Sequence, residues 1–264
     1  MHECCLRLRR RNTMVKVLLA GETWISEATH YKGFDSFTST TFHSGADDYI
    51  AALEAHGITV THMAAHDVPQ DFPADSKALS AYDVVVLSDI GANSFQLPPE
   101  TWLEGKSSPD RLGALAEWVQ AGGALMMAGG YMSFQGFQAR ANFARSAIAP
   151  VLPVTMSDYD DRIEASAGAV VHGVSGSELG ALVPEGAPTL LGYNRVEAKK
   201  DAEVHARVGD DVLIATGMAG KGKTLVWTSD IGPHWCPQPF VDWKGFRPLM
   251  AGMINWLAGE AVAS

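Results

Sequence analysis

Four ionisable residues stand where short apolar runs end: Glu22, Asp89, Asp230 and His234. Carboxylates and an imidazole gathered at one point can move protons, because burial and mutual charge bring their titrations towards neutrality. They form the candidate catalytic set together with His30, which Asp35 would orient as a partner carboxylate. Around them stand groups suited to holding a polar ligand: Trp24, Lys32, Asp35, Asn93, Tyr131, Ser133 and Trp235. These types support hydrolysis or isomerisation of a small polar molecule. Trp235 and Trp243 add faces that stack on a sugar or a planar ring.

Such a set converges only if elements distant in sequence end side by side. Residues 15–20 read as a buried strand ending at Gly21. Residues 58–63 and 83–88 read as two more, the latter rich in β-branched side chains. Residues 124–128 and 224–229 complete the strong strands. A helix is expected over 44–56, capped by Ser44 with Asp47 and stopped by Gly57. Another spans about 110–121, where Leu112, Leu115, Ala116 and Val119 share one face. A C-terminal helix carries Phe246, Leu249, Met253 and Leu257. This order predicts an α/β, flavodoxin-like, doubly wound and mostly parallel sheet with helices on both faces. Apolar runs near 150–155, 168–172, 188–193, 203–208 and 212–216 predict extra, partly antiparallel strands.

In an open parallel sheet, ligands bind beyond the carboxyl ends of the strands. Glu22, Asp89, Tyr131 and Asp230 all fall there. Residues 21–43 are too many and too aromatic for an ordinary connection, and read as a lid loop bringing His30, Lys32 and Asp35 over the site. Asp158, Asp160 and Asp161 read as a solvated turn.

Composition narrows the function. At 264 residues and 47% hydrophobic, the chain suits one domain over 14–264. Twenty Lys and Arg against 30 Asp and Glu give a net charge of −10, which argues against nucleic-acid binding. Apolar runs fall short of the roughly 18 residues of a membrane span. Cys4, Cys5 and Cys236 do not make a disulfide framework, so a cytoplasmic setting is expected. Residues 1–13 are basic, precede a second methionine, Met14, and lack a secretory apolar stretch. They read as a disordered tail or a start placed too early. Two motif matches carry no weight. Gly217 to Gly222-Lys223-Thr224 fits a phosphate-binding loop, but a strand follows it where a helix is needed, so a hairpin turn is expected. His62 and His66 would share a face only on a helix. A divalent metal is compatible with histidine and carboxylates at one place, but no spacing calls for one and no ligand is assigned.

Gly21-Glu-Thr-Trp24, His30-Tyr-Lys-Gly-Phe-Asp35, Ser88-Asp-Ile-Gly91, Gly129-Gly-Tyr131 and Asp230-Ile-Gly-Pro-His-Trp235 together resemble a family of cytoplasmic proteins in the class I glutamine amidotransferase-like superfamily, near the trehalose-utilisation (ThuA-like) proteins. The resemblance covers nearly the whole chain. It implies a flavodoxin-like core, a strand-turn-helix elbow after the fourth strand, and homo-oligomers, here a dimer or tetramer. In that superfamily a G-x-C-x-G elbow holds a nucleophilic cysteine, activated by a later histidine and glutamate. Here the elbow reads Gly130-Tyr131-Met132-Ser133-Phe134. Met132 takes the nucleophile's place, and a thioether cannot become a thiolate. Two functions stand open: an enzyme acting on a polar small molecule such as a sugar derivative, or a non-catalytic binding or regulatory protein on the same scaffold. A glutaminase working through Ser133 or Cys236 is a third.

Overall fold

Strict alternation inside each apolar run decides the architecture, because successive strand side chains point to opposite faces. The computed structural model describes residues 14–262. The expectation for 1–13, with Cys4 and Cys5, therefore lies outside the described residues. In chain order the strands begin with β1 (Lys16–Gly21), β2 (Thr23–Lys32), β3 (Asp35–Ser44), β4 (Thr59–Met63), β5 (Val84–Ser88) and β6 (Ala124–Ala128). There follow β7 (Val154–Thr155), β8 (Arg162–Ala169), β9 (Val171–Gly173), β10 (Leu190–Asn194) and β11 (Glu197–Ala198). The last three are β12 (Glu203–Val208), β13 (Asp211–Ala219) and β14 (Gly222–Trp227).

Eight of these form one sheet in the order β4-β1-β5-β6-β14-β13-β12-β9. The first five run parallel, and β13, β12 and β9 continue the sheet antiparallel. Both faces are covered. Val17, Leu19, Val84, Val86 and Met126 pack with Tyr49 and Leu53 of the helix Asp47–Glu54 and with Leu249 and Met253 of the helix Phe246–Ala258. Leu18, Val85, Leu87 and Leu125 pack on the other face with Leu112, Leu115 and Val119 of the helix Arg111–Ala121. Each such side chain stabilises the fold by about 1.5–3 kcal/mol through burial. The expected α/β, mostly parallel, two-faced sheet is therefore what the chain adopts.

Chain order reverses beside β1, which has β4 on one side and β5 on the other. That reversal opens a crevice beyond the carboxyl ends of β1 and β5, where Glu22 and Asp89 follow.

Several expectations need correction. Residues 21–43 are not a loop. β2 and β3 pair from Thr23↔Ser44 to Lys32↔Asp35 around a two-residue turn, Gly33-Phe34. Threonine and aromatic side chains favour this extended backbone. Ser44 ends β3, and its hydroxyl donates to Asp47 (3.0 Å) where an N-cap would accept from a backbone N–H. The run at 150–155 is a strand only at Val154–Thr155. No helix follows β6; short 3-10 turns at Phe137–Ala139 and Phe143–Arg145 take its place, so the implied strand-turn-helix elbow is not formed. The phosphate-loop match lies in the β13–β14 hairpin, as expected.

Candidate functional site

The strand ends of β1, β5, β6 and β14 lie side by side, so the residues after them meet. Glu22, Asp89, Asp230 and His234 line a cavity of about 650 Å³ whose walls include Trp24, Tyr131 and Pro233. Glu22 follows Gly21, which takes φ +104 and sits so close to Ser88 that a side chain there would strike its carbonyl. Gly130 plays the matching part on β6. A side-chain carbon on it would come within 2.7 Å of an Asp89 oxygen and 3.0 Å of an Asp230 oxygen. The absence of that carbon is what lets the two carboxylates converge.

Each acid is held by donors from the scaffold. Ser88 Oγ donates to Glu22 Oε2 at 2.5 Å. The Met132 amide donates to Asp89 Oδ1 at 2.6 Å, and the Asp89 amide donates to Ser133 Oγ at 3.1 Å. The Trp235 amide donates to Asp230 Oδ2 at 3.0 Å, and His234 Nδ1 lies 3.3 Å from the same oxygen. The Tyr131 ring meets His234 edge-on at 5.0 Å. Its hydroxyl donates to Glu164.

Burial and crowding set the protonation states. Burial, then the charges of Asp230 and Asp89, push the Glu22 carboxyl well above the usual carboxylate range. Asp89 is pushed up to about 6, first by burial and then by Asp230. Asp230 is raised by burial. The hydrogen bond to Asp230 raises His234. A carboxylic acid that keeps its proton close to neutrality thus stands beside a carboxylate paired to an imidazole. That pairing suits general acid–base work.

A family model described as "Putative glutamine amidotransferase" matches residues 16–259. The chain belongs to this glutamine amidotransferase-like family. Two solved structures from Salmonella resemble it throughout. "Cytoplasmic Protein STM3548" of Salmonella typhimurium is 39% identical, covers 92% of this chain and 99% of its own, and superposes with a TM-score of 0.87. "Cytoplasmic Protein STM1381" of Salmonella typhimurium LT2 is 38% identical over the same shares, with a TM-score of 0.87. A "Putative thua-like protein" from Parabacteroides merdae, 14% identical over 96% of this chain and 93% of its own, shares the fold with a TM-score of 0.53. No curated protein matches the chain.

On this amidotransferase-like scaffold the residues singled out from sequence divide. Glu22, Asp89, Asp230, His234, Trp24 and Tyr131 meet at the cavity. His30, Lys32 and Asp35 do not. They sit near the exposed tip of the β2–β3 hairpin, where His30 bonds Ser39 (2.8 Å) and stacks on Phe37. Asn93 is exposed at the start of a short helix, off the cavity. Ser133 is buried beneath the floor as an acceptor for Asp89. Trp235 is also buried; its ring nitrogen donates to Glu164 (3.0 Å), so its face meets protein, not a ligand. Trp243 packs on Phe240. His62 bonds the Gly21 carbonyl while His66 meets the edge of Phe42, so the two do not converge.

Four residues that support those around the cavity were given no site role by sequence reading. Glu164 accepts from both Tyr131 and Trp235, tying the Tyr131 wall to the turn that carries His234. Arg162 stacks on Tyr131 at 4.7 Å. Asn194 accepts from the Gly130 amide (3.0 Å) and donates to Asp161 (2.8 Å). Asp161 is no solvated turn residue: it is buried and accepts from the amides of Gln135 and Gly136. Among the described residues, no group of three His, Cys, Asp or Glu side chains is arranged to hold a metal ion. The cavity acids already face protein donors.

Cys236 is fully buried, and burial pushes its thiol well above the usual range. A thiol reagent is therefore expected to leave it unmodified in the native protein and to label it on unfolding. Peptide mapping by mass spectrometry reads both states; rapid native labelling would disprove its burial.

Proposed function

We propose that this amidotransferase-like chain is an enzyme that uses buried carboxylates, not a thiolate, for acid–base chemistry on a polar small molecule of the sugar-derivative kind. One observation carries the reading. Glu22 and Asp89, at the ends of adjacent strands, both hold left-handed backbones, with φ of 56° and 43°. That region is uncommon away from glycine and suits glutamate least, costing on the order of 1 kcal/mol or more at Glu22, while aspartate enters it more readily. Two acids held in this conformation at adjacent strand ends and facing one cavity are what a site retained for its chemistry looks like. Glu22, Asp89 and Asp230 offer acceptors to sugar hydroxyls, and Trp24 and Tyr131 offer ring faces. His234 and Asp230 serve as base and orienter, and protonated Glu22 or Asp89 as the acid, for hydrolysis or isomerisation.

Glutaminase chemistry is not part of the proposal. Met132 has no ionisable sulfur, and its amide, which could stabilise an oxyanion, is engaged by Asp89. Met132 also supports a second reading, a non-catalytic binding or regulatory protein. A cytoplasmic setting is proposed because the two Salmonella relatives are described as cytoplasmic proteins. Among the described residues no helix is long and apolar enough to cross a membrane.

The test is a thermal-shift panel of glutamine, mono- and disaccharides, keto-sugars, sugar acids and divalent metal salts. A ligand that binds only the native state raises the midpoint by mass action. The expected result is a rise with one sugar class, none with glutamine, and loss of the rise in Glu22→Gln. No shift with any sugar overturns the substrate class. Ammonia released from glutamine overturns the chemistry.

A further inference from the structure

Apart from Trp24 at its base, the β2–β3 hairpin takes no part in the cavity's chemistry. Its two ten-residue strands reach about 33 Å at roughly 3.3 Å per residue. Beyond Thr23 every residue of β2 is exposed, and β3 is nearly so. A lone two-stranded hairpin is marginal in water. Yet six of the thirteen large apolar side chains exposed among the described residues lie on it: Trp24, Ile25, Tyr31, Phe34, Phe37 and Phe42. They occupy both faces, since Trp24 and Phe37 alternate against Ile25, Tyr31 and Phe42. Folding the arm down onto its own body would cover only one of them. Both strand edges are also unpaired, which invites further strand pairing.

We propose that this hairpin is an arm that clasps a second copy of the chain and lays its tip, Tyr31 to Phe34, over the mouth of that copy's cavity. Charge favours a second copy. The whole chain carries −10. The arm has Glu27 and Asp35 against Lys32, a net of −1, so two acidic bodies can meet there without strong repulsion. Size fits as well. Two ten-residue strands and their turn match the roughly 20–30 residues a side of a stable interface. Position supplies the rest. The arm springs from Glu22 and Trp24 at the cavity edge, so whatever grips its base also lies beside the cavity. The cavity presents three acids and lacks any lysine or arginine among its lining residues. The tip carries His30 and Lys32, with Asp35 opposite Lys32 across the turn, about 33 Å from its own cavity by the strand rise. An extended hairpin cannot bend back over that distance; a neighbouring copy's arm can deliver the same groups. The proposal needs the cavity only as a surface, not its acid–base chemistry, so the two stand or fall separately.

The test uses the full chain. Light scattering after gel filtration is expected to give a multiple of 28.2 kDa. The double variant Tyr31→Ser/Phe34→Ser is expected to weaken association by at least about tenfold, as loss of aromatic anchors does. Its melting temperature, read where wild type is dissociated, should not change, since neither side chain is buried in its own chain. Placing the photo-cross-linker p-benzoyl-phenylalanine at Phe34 then reports position. The expected product joins two chains, with the cross-link in the second copy at Trp24, Tyr131 or 230–235. A monomer at the highest soluble concentration overturns the proposal. An oligomer unaffected by the double variant, or cross-links away from the cavity rim, overturns it too. So does a monomer that instead binds phospholipid vesicles through the arm.

Discussion

Replacing Asp89 by asparagine is expected to stabilise the protein at pH 8 by up to about 3 kcal/mol while removing its turnover. The magnitude follows from the carboxyl being pushed from its ordinary 3.8 to about 6, at roughly 1.4 kcal/mol per pKa unit. The folded chain binds this proton more tightly than the unfolded chain does. The stability that results is fully present below pH 3.8 and is lost as pH rises through about 6. Wild type therefore pays for an ionised Asp89 at pH 8, and a neutral amide does not. Asparagine suits the position in other ways. It tolerates a φ of 43°, and its carbonyl oxygen can still accept from Met132. Melting temperatures at pH 5 and pH 8 provide the check. For a chain of this size, roughly 2–4 °C per kcal/mol puts the gain at pH 8 near 10 °C, shrinking towards pH 5. Glu22 and Asp230 share the same charge crowding, so adding Glu22→Gln should bring less than its separate effect. A variant no more stable than wild type at pH 8 would mean that Asp89 is not under electrostatic strain.

The same acids explain what could be read in the sequence and what could not. β1, β5, β6 and β14 were legible because burial on both faces demands unbroken apolar runs. Once their ends were located, Glu22 and Asp89 followed directly; β14 ends at Trp227, two residues before the expected Ser229, so Asp230 lies three residues beyond it. The β2–β3 hairpin hid for the opposite reason. With neither face on the core, it shows no alternation of apolar and polar residues, and its serines and threonines resemble a loop. Trp235 misled because it adjoins His234: in the turn over 233–235 the two rings stack 6.0 Å apart, but only His234 lines the cavity while Trp235 is buried. Asp161 misled because its donors, the amides of Gln135 and Gly136, come from a turn about 25 residues earlier. Only the folded backbone brings those amides to it. Glu164 likewise gains its role from Tyr131 and Trp235, which approach from different strand ends.

His234→Ala should lower kcat by about 10²–10⁴ while leaving ligand affinity within a few-fold, the signature of a positioned base. The imidazole is suited to that task. Asp230 takes up Nδ1 at 3.3 Å and the edge of Tyr131 steadies the ring, so Nε2 is the nitrogen left to exchange a proton with a ligand. Asp230→Asn separates orientation from charge. The amide oxygen can still accept from Nδ1, but the hydrogen-bonded charge that raises His234 is gone. The imidazole's titration should fall towards its ordinary 6.5, and the rising limb of the pH–rate profile should move to lower pH with it. A base with a lower pKa is also weaker, so the plateau rate should drop even where the imidazole is wholly neutral. If the limb stays where wild type has it, His234 is not the group that titrates in the reaction. If alanine at 234 weakens binding in proportion to any loss of rate, the cavity holds its ligand without acting on it. The acids at 22 and 89 would then serve recognition alone.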